Sequence, residues 1–205
     1  MTSRSIDFWY YTSSTYTYLS AMRIGDVAQQ AGLEVRWRPF YLNALLQENG
    51  VKPFPPGRSK TTYMWRDLER RAQMYGIGFP EEPPPYPCDP DILNFRVALV
   101  AHEEGWAKKH ALASYDWWFR RHRPPGLNDN RVPFLESLGM DPDRIIARAH
   151  SPDIDAQVTA SADEARTLGL FGSPHFVVDG EVFWGDDRLE DAVSWAKLGR
   201  VERTY

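Results

Sequence analysis

The chain of 205 residues contains only one cysteine, Cys88. One thiol cannot close an intramolecular disulfide, so this chain on its own cannot run a dithiol redox cycle of the C-x-x-C type. Cys88 lies in the proline-rich segment Pro-Tyr-Pro-Cys-Asp-Pro. An odd cysteine in such a connector is more often an unreactive or buried thiol than a nucleophile, and we favour that interpretation.

The sequence also lacks a strong excess of charge and a long apolar run. Its formal net charge of -4 gives no general electrostatic reason to bind nucleic acid or an anionic membrane. The first residues show no apolar signal core, and no run reaches the length of a membrane span. We therefore expect a cytoplasmic protein that binds neither nucleic acid nor membrane. The five histidines show no metal-ligand spacing with acids or thiols, so no metal site is predicted.

The N-terminal part of the chain predicts a strand, a helix and a second strand. Residues 5–12 are rich in aromatic and β-branched side chains, as in a central strand. A helical apolar pattern follows over about 15–31 and stops at Gly32. Residues 33–40 alternate apolar and charged side chains, which is typical of a strand with one solvated face. This βαβ unit has a crossover long enough to join parallel strands.

The C-terminal part predicts an antiparallel hairpin and a closing helix. His175–Val178 and Glu181–Trp184 are short β-prone runs separated by Asp179-Gly180, a dipeptide that suits a two-residue turn with positive φ angles. Pro174 precedes the first of these strands, where its missing N–H is tolerated. Spacing alone favours an ordinary trans peptide bond at Pro174.

A block of predicted helices lies between these two parts. Residues 79–90 hold six prolines and predict a connector. The architecture is therefore of the α/β class, βαβ then helices then ββα, with about four strands and a cleft between sheet and helices. The helices are expected over 43–48, 60–75 and 151–168, with three or four more between 91 and 149.

Ser14 lies between the first strand and the first helix, where open α/β sheets usually place their ligands. Two interpretations are open at this point. In the first, the Ser14 hydroxyl only caps the following helix. In the second, the hydroxyl and the helix N-terminus stabilise an anion, such as the thiolate of a bound thiol cofactor.

Charged residues near the predicted cleft also allow two interpretations. Lys60 opens a helix, where its charge opposes the helix dipole. It is either a solvated surface lysine, which residue type alone favours, or a partner for a ligand carboxylate. Asp186 and Asp187 are good caps for the closing helix, and they could equally receive a ligand ammonium group.

Four groups of residues carry a family resemblance in their order and spacing over nearly the full length. They are Asp7-Phe8-Trp9-Tyr10 with Ser13 to Leu19; Trp37-Arg38-Pro39-Phe40; Lys60 with Tyr63-Met64 and Arg66-Asp67-Leu68; and Gly169 to Leu189. Through them the chain resembles the glutathione-dependent 2-hydroxychromene-2-carboxylate isomerases, which are relatives of kappa-class glutathione transferases and of the disulfide oxidoreductase DsbA.

The resemblance implies a thioredoxin-like domain, formed by residues 1–45 and 165–205, with a helical domain inserted over 46–164. It also implies that glutathione binds in the cleft. Ser14 matches the serine that hydrogen-bonds the glutathione sulfur, in the place where redox relatives carry their attacking cysteine. Lys60 matches a lysine near a carboxylate end of the tripeptide.

The C-terminal segment supplies the remaining matches. Ser173, before a cis-Pro174, would present backbone groups to the cysteinyl part of glutathione. Asp186 and Asp187 match positions that hold its γ-glutamyl end. The implied chemistry is reversible addition of a thiolate to an unsaturated, ring-opened aromatic acid, followed by bond rotation and expulsion of the thiol.

Two other functions stay open beside the isomerase. A kappa-like glutathione S-transferase would consume glutathione by conjugation to an electrophile, and a non-catalytic thioredoxin-fold binding protein would use Ser14 only as a cap. A homodimer is a further expectation, because relatives often pair. The chain departs from the family pattern at Tyr11, Thr15 and Val51, where Asp, Pro and Asn are common.

Overall fold

The computed structural model describes residues 5–51, 54 and 57–202. The strands are β1 (Ser5–Tyr10), β2 (Glu34–Pro39), β3 (His175–Val178) and β4 (Glu181–Trp184). The helices are α1 (Thr15–Ala21), α2 (Ile24–Ala31), α3 (Leu42–Glu48), α4 (Ser59–Tyr75), α5 (Leu93–Glu103), α6 (Ala107–Tyr115), α7 (Asn128–Ser137), α8 (Pro142–Ala149), α9 (Pro152–Thr167) and α10 (Leu189–Leu198). A π-helical turn, Asp116–Arg120, follows α6, and a 3-10 turn, Asp186–Arg188, precedes α10.

The described strands form one four-stranded sheet in the order β2-β1-β3-β4. β1 runs parallel to β2 and antiparallel to β3, with Phe8 opposite both Trp37 and Phe176. β3 and β4 form the predicted hairpin, and its turn has positive φ at both Asp179 (50°) and Gly180 (87°). This mixed sheet, with helices inserted between β2 and β3, is the thioredoxin-like fold that the sequence predicts.

Each face of the sheet packs into a different apolar cluster. Ile6, Phe8 and Tyr10 of β1 are fully buried against helices that include α1, α2 and α10. Trp9 of β1 and Val177 of β3 point to the other face and join a cluster built largely from α5, α7, α8 and α9. Side chains alternate between the two faces of a strand, so β1 contributes to both cores.

The prediction of one helix over 15–31 is wrong, because the helix is broken at Met22 and Arg23. Arg23 leaves the helical conformation, with φ -128° and ψ -19°. Its Nη2 donates to the Asp186 carbonyl at 2.9 Å and to Glu190 at 3.0 Å. The break therefore serves contacts with the start of α10, and no glycine or proline marks it in the sequence. The stop at Gly32 is confirmed by its left-handed φ of 70°.

Pro174 follows a cis peptide bond, so the trans bond that spacing favours is wrong and the cis bond that the resemblance implies is confirmed. Tyr86–Pro87 is also cis. Cys88 is buried, and burial raises the pKa of its thiol, in agreement with an unreactive side chain. None of the described helices combines the length and apolarity that crossing a membrane requires. The domain boundaries near residues 45 and 165 stay a prediction.

A polar network lies inside the helical block. His110 is fully buried, and its Nε2–H donates to Asn94 Oδ1 at 3.1 Å. Ser114 donates to the same oxygen at 3.3 Å. Desolvation lowers the pKa of His110 to about 3, so the folded protein holds this histidine neutral.

We expect His110→Gln to flatten the dependence of stability on pH. Between the folded pKa of about 3 and the ordinary value near 6.5, the unfolded chain binds a proton that the folded chain does not. Stability therefore rises with pH in this window, and the variant should lose up to about 1.4 kcal/mol per pH unit of that slope. Urea unfolding at a series of pH values measures it.

Ser114→Ala is the matched control, because it disturbs the same network without removing a titrating group. It should cost roughly 1 kcal/mol at every pH and leave the slope unchanged. If stability depended equally on pH in His110→Gln and in the native chain, the assignment of a neutral, buried His110 would be contradicted.

Candidate functional site

Ser173 links the segment that follows β1 to the segment that precedes β3. Its Oγ accepts from the Tyr11 N–H at 3.0 Å and lies 2.8 Å from Thr17 Oγ1. Its carbonyl accepts from Ser14 Oγ at 2.9 Å, across 159 residues of sequence. The turn after β1 is thus fastened to the loop before β3, and Ser14 and Ser173, two of the predicted site residues, are in direct contact.

The interpretation of Ser14 as a helix cap is wrong. Ser14 occupies the N-cap position of α1, but its side chain makes no capping hydrogen bond. The hydroxyl is directed instead at the Ser173 carbonyl. The Ser14 side chain is half-buried, and rotation about its Cβ–Oγ bond can direct the hydroxyl hydrogen to another acceptor.

The turn that carries Ser14 is also tied to α4. Thr15 Oγ1 donates to Met64 Sδ at 3.1 Å, and Tyr16 OH donates to Asp67 Oδ2 at 3.0 Å. Where relatives commonly have proline, Thr15 therefore adds a polar link to α4.

The other two departures from the family pattern are Tyr11 and Val51. The Tyr11 hydroxyl accepts from Asn43 Nδ2 at 3.0 Å, and its ring packs against Phe95 in the helical block. Val51 is exposed. The nearby Asn49 uses its amide within its own helix, donating to Leu45 O at 2.8 Å.

Lys60 lies in the first turn of α4 and is exposed. Its Nζ lies 5.2 Å from the centre of the Phe54 ring. In the part of the chain that the structure describes, no carboxylate pairs with this ammonium group. The role of Lys60 as a partner for a ligand carboxylate stays a prediction.

Asp186 and Asp187 have different environments, and neither side chain caps α10 as predicted. Asp186 is buried; its Oδ2 accepts from Arg71 Nε at 2.7 Å and from Tyr75 OH at 3.3 Å. Desolvation raises the pKa of Asp186, and the Arg71 guanidinium opposes that rise. Asp187 is exposed and pairs with Arg188 at 3.0 Å.

The hairpin holds this acidic pair close to Pro174. Gly185 N donates to the Pro174 carbonyl at 3.1 Å. Gly185 has a φ of 110°, and a Cβ there would lie 2.6 Å from Asp187 Oδ1. The positive φ favours glycine at this position, whereas the exposed Asp187 side chain could move away from a Cβ.

His175 follows Pro174 but does not supply a titrating group. It is buried, and its Nδ1 lies 2.9 Å from the Gly172 carbonyl. Desolvation lowers the pKa of His175 to about 4, so it is neutral at pH 7. Over the described residues no group of three or more histidines, cysteines or acids could hold a metal ion.

The family profile described as DSBA-like thioredoxin domain matches residues 5–194. The chain belongs to this family. A 2-hydroxychromene-2-carboxylate isomerase of Sphingobium xenophagum is 28% identical over 193 residues, covering 92% of this chain and 95% of the relative. Glutathione S-transferase kappa 1 of Caenorhabditis elegans is 26% identical over 201 residues, covering 90% and 87%.

A solved 2-hydroxychromene-2-carboxylate isomerase structure has the same fold as this DSBA-like chain. It matches with a TM-score of 0.76 at 24% identity, over 90% of each chain. The resemblance inferred from the motifs is confirmed at the level of the family, and with it the relation to enzymes. The roles of individual site residues stay predictions.

Sequence reasoning missed several residues of this region. Arg71, Tyr75 and Arg23 surround Asp186, and Thr17 completes the contacts of Ser173. Arg71 is one of several arginines along α4, so nothing in the local sequence distinguishes it. Its role depends on the packing of α4 against the turn after β4.

Ser173→Ala should destabilise the fold by about 1–3 kcal/mol, because the Tyr11 N–H loses its acceptor in a largely buried turn. Thr17→Val removes the second partner of the same oxygen. In a double-mutant cycle followed by urea unfolding, the two changes should couple by at least about 0.5 kcal/mol. Ser137→Ala, a local hydroxyl deletion on α7, is the control and should add independently to Ser173→Ala. Additive effects of the Ser173 and Thr17 changes would contradict a shared junction.

Arg71→Gln should cost roughly 1–3 kcal/mol at neutral pH, because the buried Asp186 carboxylate loses its charged donor. In the variant the pKa of Asp186 should rise further, because no guanidinium opposes the effect of desolvation. The folded variant can then protonate Asp186 in acid, so the loss of stability should be smaller there. Unfolding curves of Arg71→Gln and Arg70→Gln at several pH values test this. The longer and more exposed contact of Arg70 with Asp67 should change stability by less than about 0.5 kcal/mol. Equal costs in the two variants would refute the assignment.

Proposed function

We propose that this chain is a glutathione-dependent isomerase of the 2-hydroxychromene-2-carboxylate type, which acts on an unsaturated aromatic acid. The observation that carries the proposal is the Ser14 hydroxyl directed at the main chain of Ser173, immediately before Pro174. The relatives named 2-hydroxychromene-2-carboxylate isomerase and glutathione S-transferase kappa support it.

The residues around Ser14 fit the chemistry of glutathione, a tripeptide with one thiol, two carboxylates and one ammonium group. Ser14 offers a hydroxyl donor to the thiol, and Ser173 offers main-chain groups to the peptide. Lys60, without a carboxylate partner in the described ranges, suits a ligand carboxylate. Asp187 is exposed and its pair with Arg188 lies at the surface, whereas Asp186 is buried and already paired with Arg71. We therefore assign the contact with the γ-glutamyl ammonium to Asp187 and a supporting role to Asp186.

When bound, glutathione would supply a thiolate that adds reversibly to the unsaturated acid and is later expelled. The task of this chain is to favour the anionic form of sulfur at neutral pH. A hydrogen bond from Ser14 to the charged form would contribute about 1.5–3 kcal/mol, which corresponds to a thiol pKa lowered by roughly 1–2 units. A serine at position 14 cannot form a mixed disulfide, so the bound sulfur stays available for addition.

A kappa-like glutathione S-transferase is the second candidate, favoured by the relative of that name. The two functions share binding of glutathione and differ in whether it is consumed. A non-catalytic binding protein is less well supported, because the Ser14 side chain does not cap α1. The cytoplasmic location and the homodimer stay predictions.

Calorimetric titration with reduced glutathione tests the proposal directly. The native chain should bind saturably, and Lys60→Ala should bind about tenfold more weakly, because one charge-assisted contact is lost. Ser14→Ala should raise the pKa of the bound thiol by roughly 1–2 units, read from its ultraviolet thiolate absorbance. Lys197→Ala, an exposed lysine at the far end of α10, is the control and should bind like the native chain.

Absence of saturable binding to the native chain at roughly millimolar glutathione would refute both glutathione-dependent functions. If glutathione binds, incubation with 2-hydroxychromene-2-carboxylate separates the two. Mass spectrometry detects a conjugate, and ultraviolet absorbance detects the isomerised acid, whose mass is unchanged. Recovery of unmodified glutathione with isomerised acid supports the isomerase, and a stable conjugate supports the transferase.

A further inference from the structure

The hydroxyl of Tyr115 connects the helical block to the turn that carries Ser14. Tyr115 is the last residue of α6 and is fully buried. Its OH donates to the Tyr11 carbonyl at 2.9 Å, across 104 residues of sequence. The same carbonyl accepts from the Ser14 N–H at 2.9 Å. The acceptor that closes the turn from Tyr11 to Ser14 is therefore also held from α6.

The main chain of Tyr11 is held from two directions. Its N–H donates to Ser173 Oγ at 3.0 Å, and its carbonyl accepts from Tyr115. The first bond fixes Tyr11 to the loop before β3, and the second fixes it to α6. The direction in which the chain enters the turn therefore depends on both bonds. Within the turn, the buried Thr12 hydroxyl has no hydrogen-bond partner among the described residues, so it adds no further anchor.

Packing leaves the Tyr115 ring little freedom to move. Trp118 stacks on it, with ring centroids 6.3 Å apart and planes at 25°. Tyr18 of α1 lies against it at a centroid distance of 6.3 Å. The π-helical turn that begins directly after Tyr115 buries Trp118 and Phe119 in the same core. Because close-packed cores resist displacement of large side chains, the position of the Tyr115 hydroxyl follows from the position of α6.

Tyr18 provides a matched comparison within this core. Like Tyr115, it is fully buried, and its hydroxyl donates to a main-chain carbonyl. That carbonyl belongs to Gly78, in the segment after α4, and not to the turn before α1. The two tyrosines therefore differ in what their hydroxyls hold, and not in burial or in the type of hydrogen bond.

The geometry at Ser14 is sensitive to small shifts of its turn. The Ser14 side chain is half-buried, and its hydroxyl donates to the Ser173 carbonyl at 2.9 Å. Hydrogen bonds weaken steeply when the donor–acceptor distance exceeds about 3.2 Å or the angle falls below about 120°. A turn released from Tyr115 would therefore weaken any hydrogen bond that the Ser14 hydroxyl makes to a ligand.

We propose that Tyr115 is a positioning residue for Ser14. Its hydroxyl holds the Tyr11 carbonyl and, through it, keeps the Ser14 hydroxyl within reach of the sulfur of a bound thiol. The part that concerns the thiol rests on the proposed function, whereas the effect on the turn requires no ligand.

Amide hydrogen exchange of the ligand-free protein, followed by NMR, tests the effect on the turn. In Tyr115→Phe the Ser14 N–H should exchange about fivefold faster or more, relative to the Phe8 N–H of β1, because one hydrogen bond no longer opposes local opening. The ratio to Phe8 is the readout, since global destabilisation speeds the exchange of both amides alike. In Tyr18→Phe this ratio should stay within about twofold of the native value.

The thiol pKa of bound glutathione, read from its ultraviolet thiolate absorbance, tests the effect on the Ser14 hydroxyl. Tyr115→Phe should raise this pKa by about 0.5–1 unit, which is a loss of thiolate of about threefold to tenfold at a pH below the pKa. Tyr18→Phe should leave it within about 0.2 unit of the native value. In the Ser14→Ala background Tyr115→Phe should add no further rise, because the hydroxyl that it positions is absent.

Equal exchange ratios in the native chain, Tyr18→Phe and Tyr115→Phe would overturn the positioning role. So would an unchanged thiol pKa in Tyr115→Phe, or an equal rise with and without the Ser14 hydroxyl. Failure of the native chain to bind glutathione would refute the proposed function alone, and the exchange ratio would then decide whether Tyr115 holds the turn.

Discussion

The hydrogen bonds of Ser173 hold the site together, because one residue before Pro174 contacts Tyr11, Ser14 and Thr17 at once. These partners lie in the turn after β1 and in the first turn of α1, and the contacts form only because β1 and β3 are neighbours in the sheet. Strand pairing across more than 150 residues of sequence therefore sets the position of the Ser14 hydroxyl. Buried polar groups need partners, so this junction also contributes to the stability of the fold.

α4 organises the remainder of the site. One flank carries Lys60 and Arg71, roughly 16 Å apart along the helix axis. Thr15 and Tyr16 fasten α1 to this flank through Met64 and Asp67.

Local patterns predicted most of the fold correctly. The parallel βαβ unit, the helix end at Gly32 and the hairpin turn at Gly180 follow from the backbone preferences of residues close together in the sequence. The break at Arg23, the cis bond before Pro174 and the missing caps at α1 and α10 were not predictable from spacing. The break at Arg23 and the missing cap of α1 involve partners distant in sequence, the Asp186 carbonyl for Arg23 and the Ser173 carbonyl for Ser14.

The sequence by itself determined the fold class and the absence of a dithiol, and it predicted only part of the candidate site. One cysteine excludes an intramolecular dithiol cycle whatever the packing. Only the tertiary structure decided how those residues are used. In the folded chain the Ser14 hydroxyl donates to the Ser173 carbonyl. The Asp186 carboxylate pairs with Arg71, whereas Asp187 is exposed. The reason is that hydrogen bonding and desolvation depend on which groups packing brings within a few ångströms, and no local pattern records that distance.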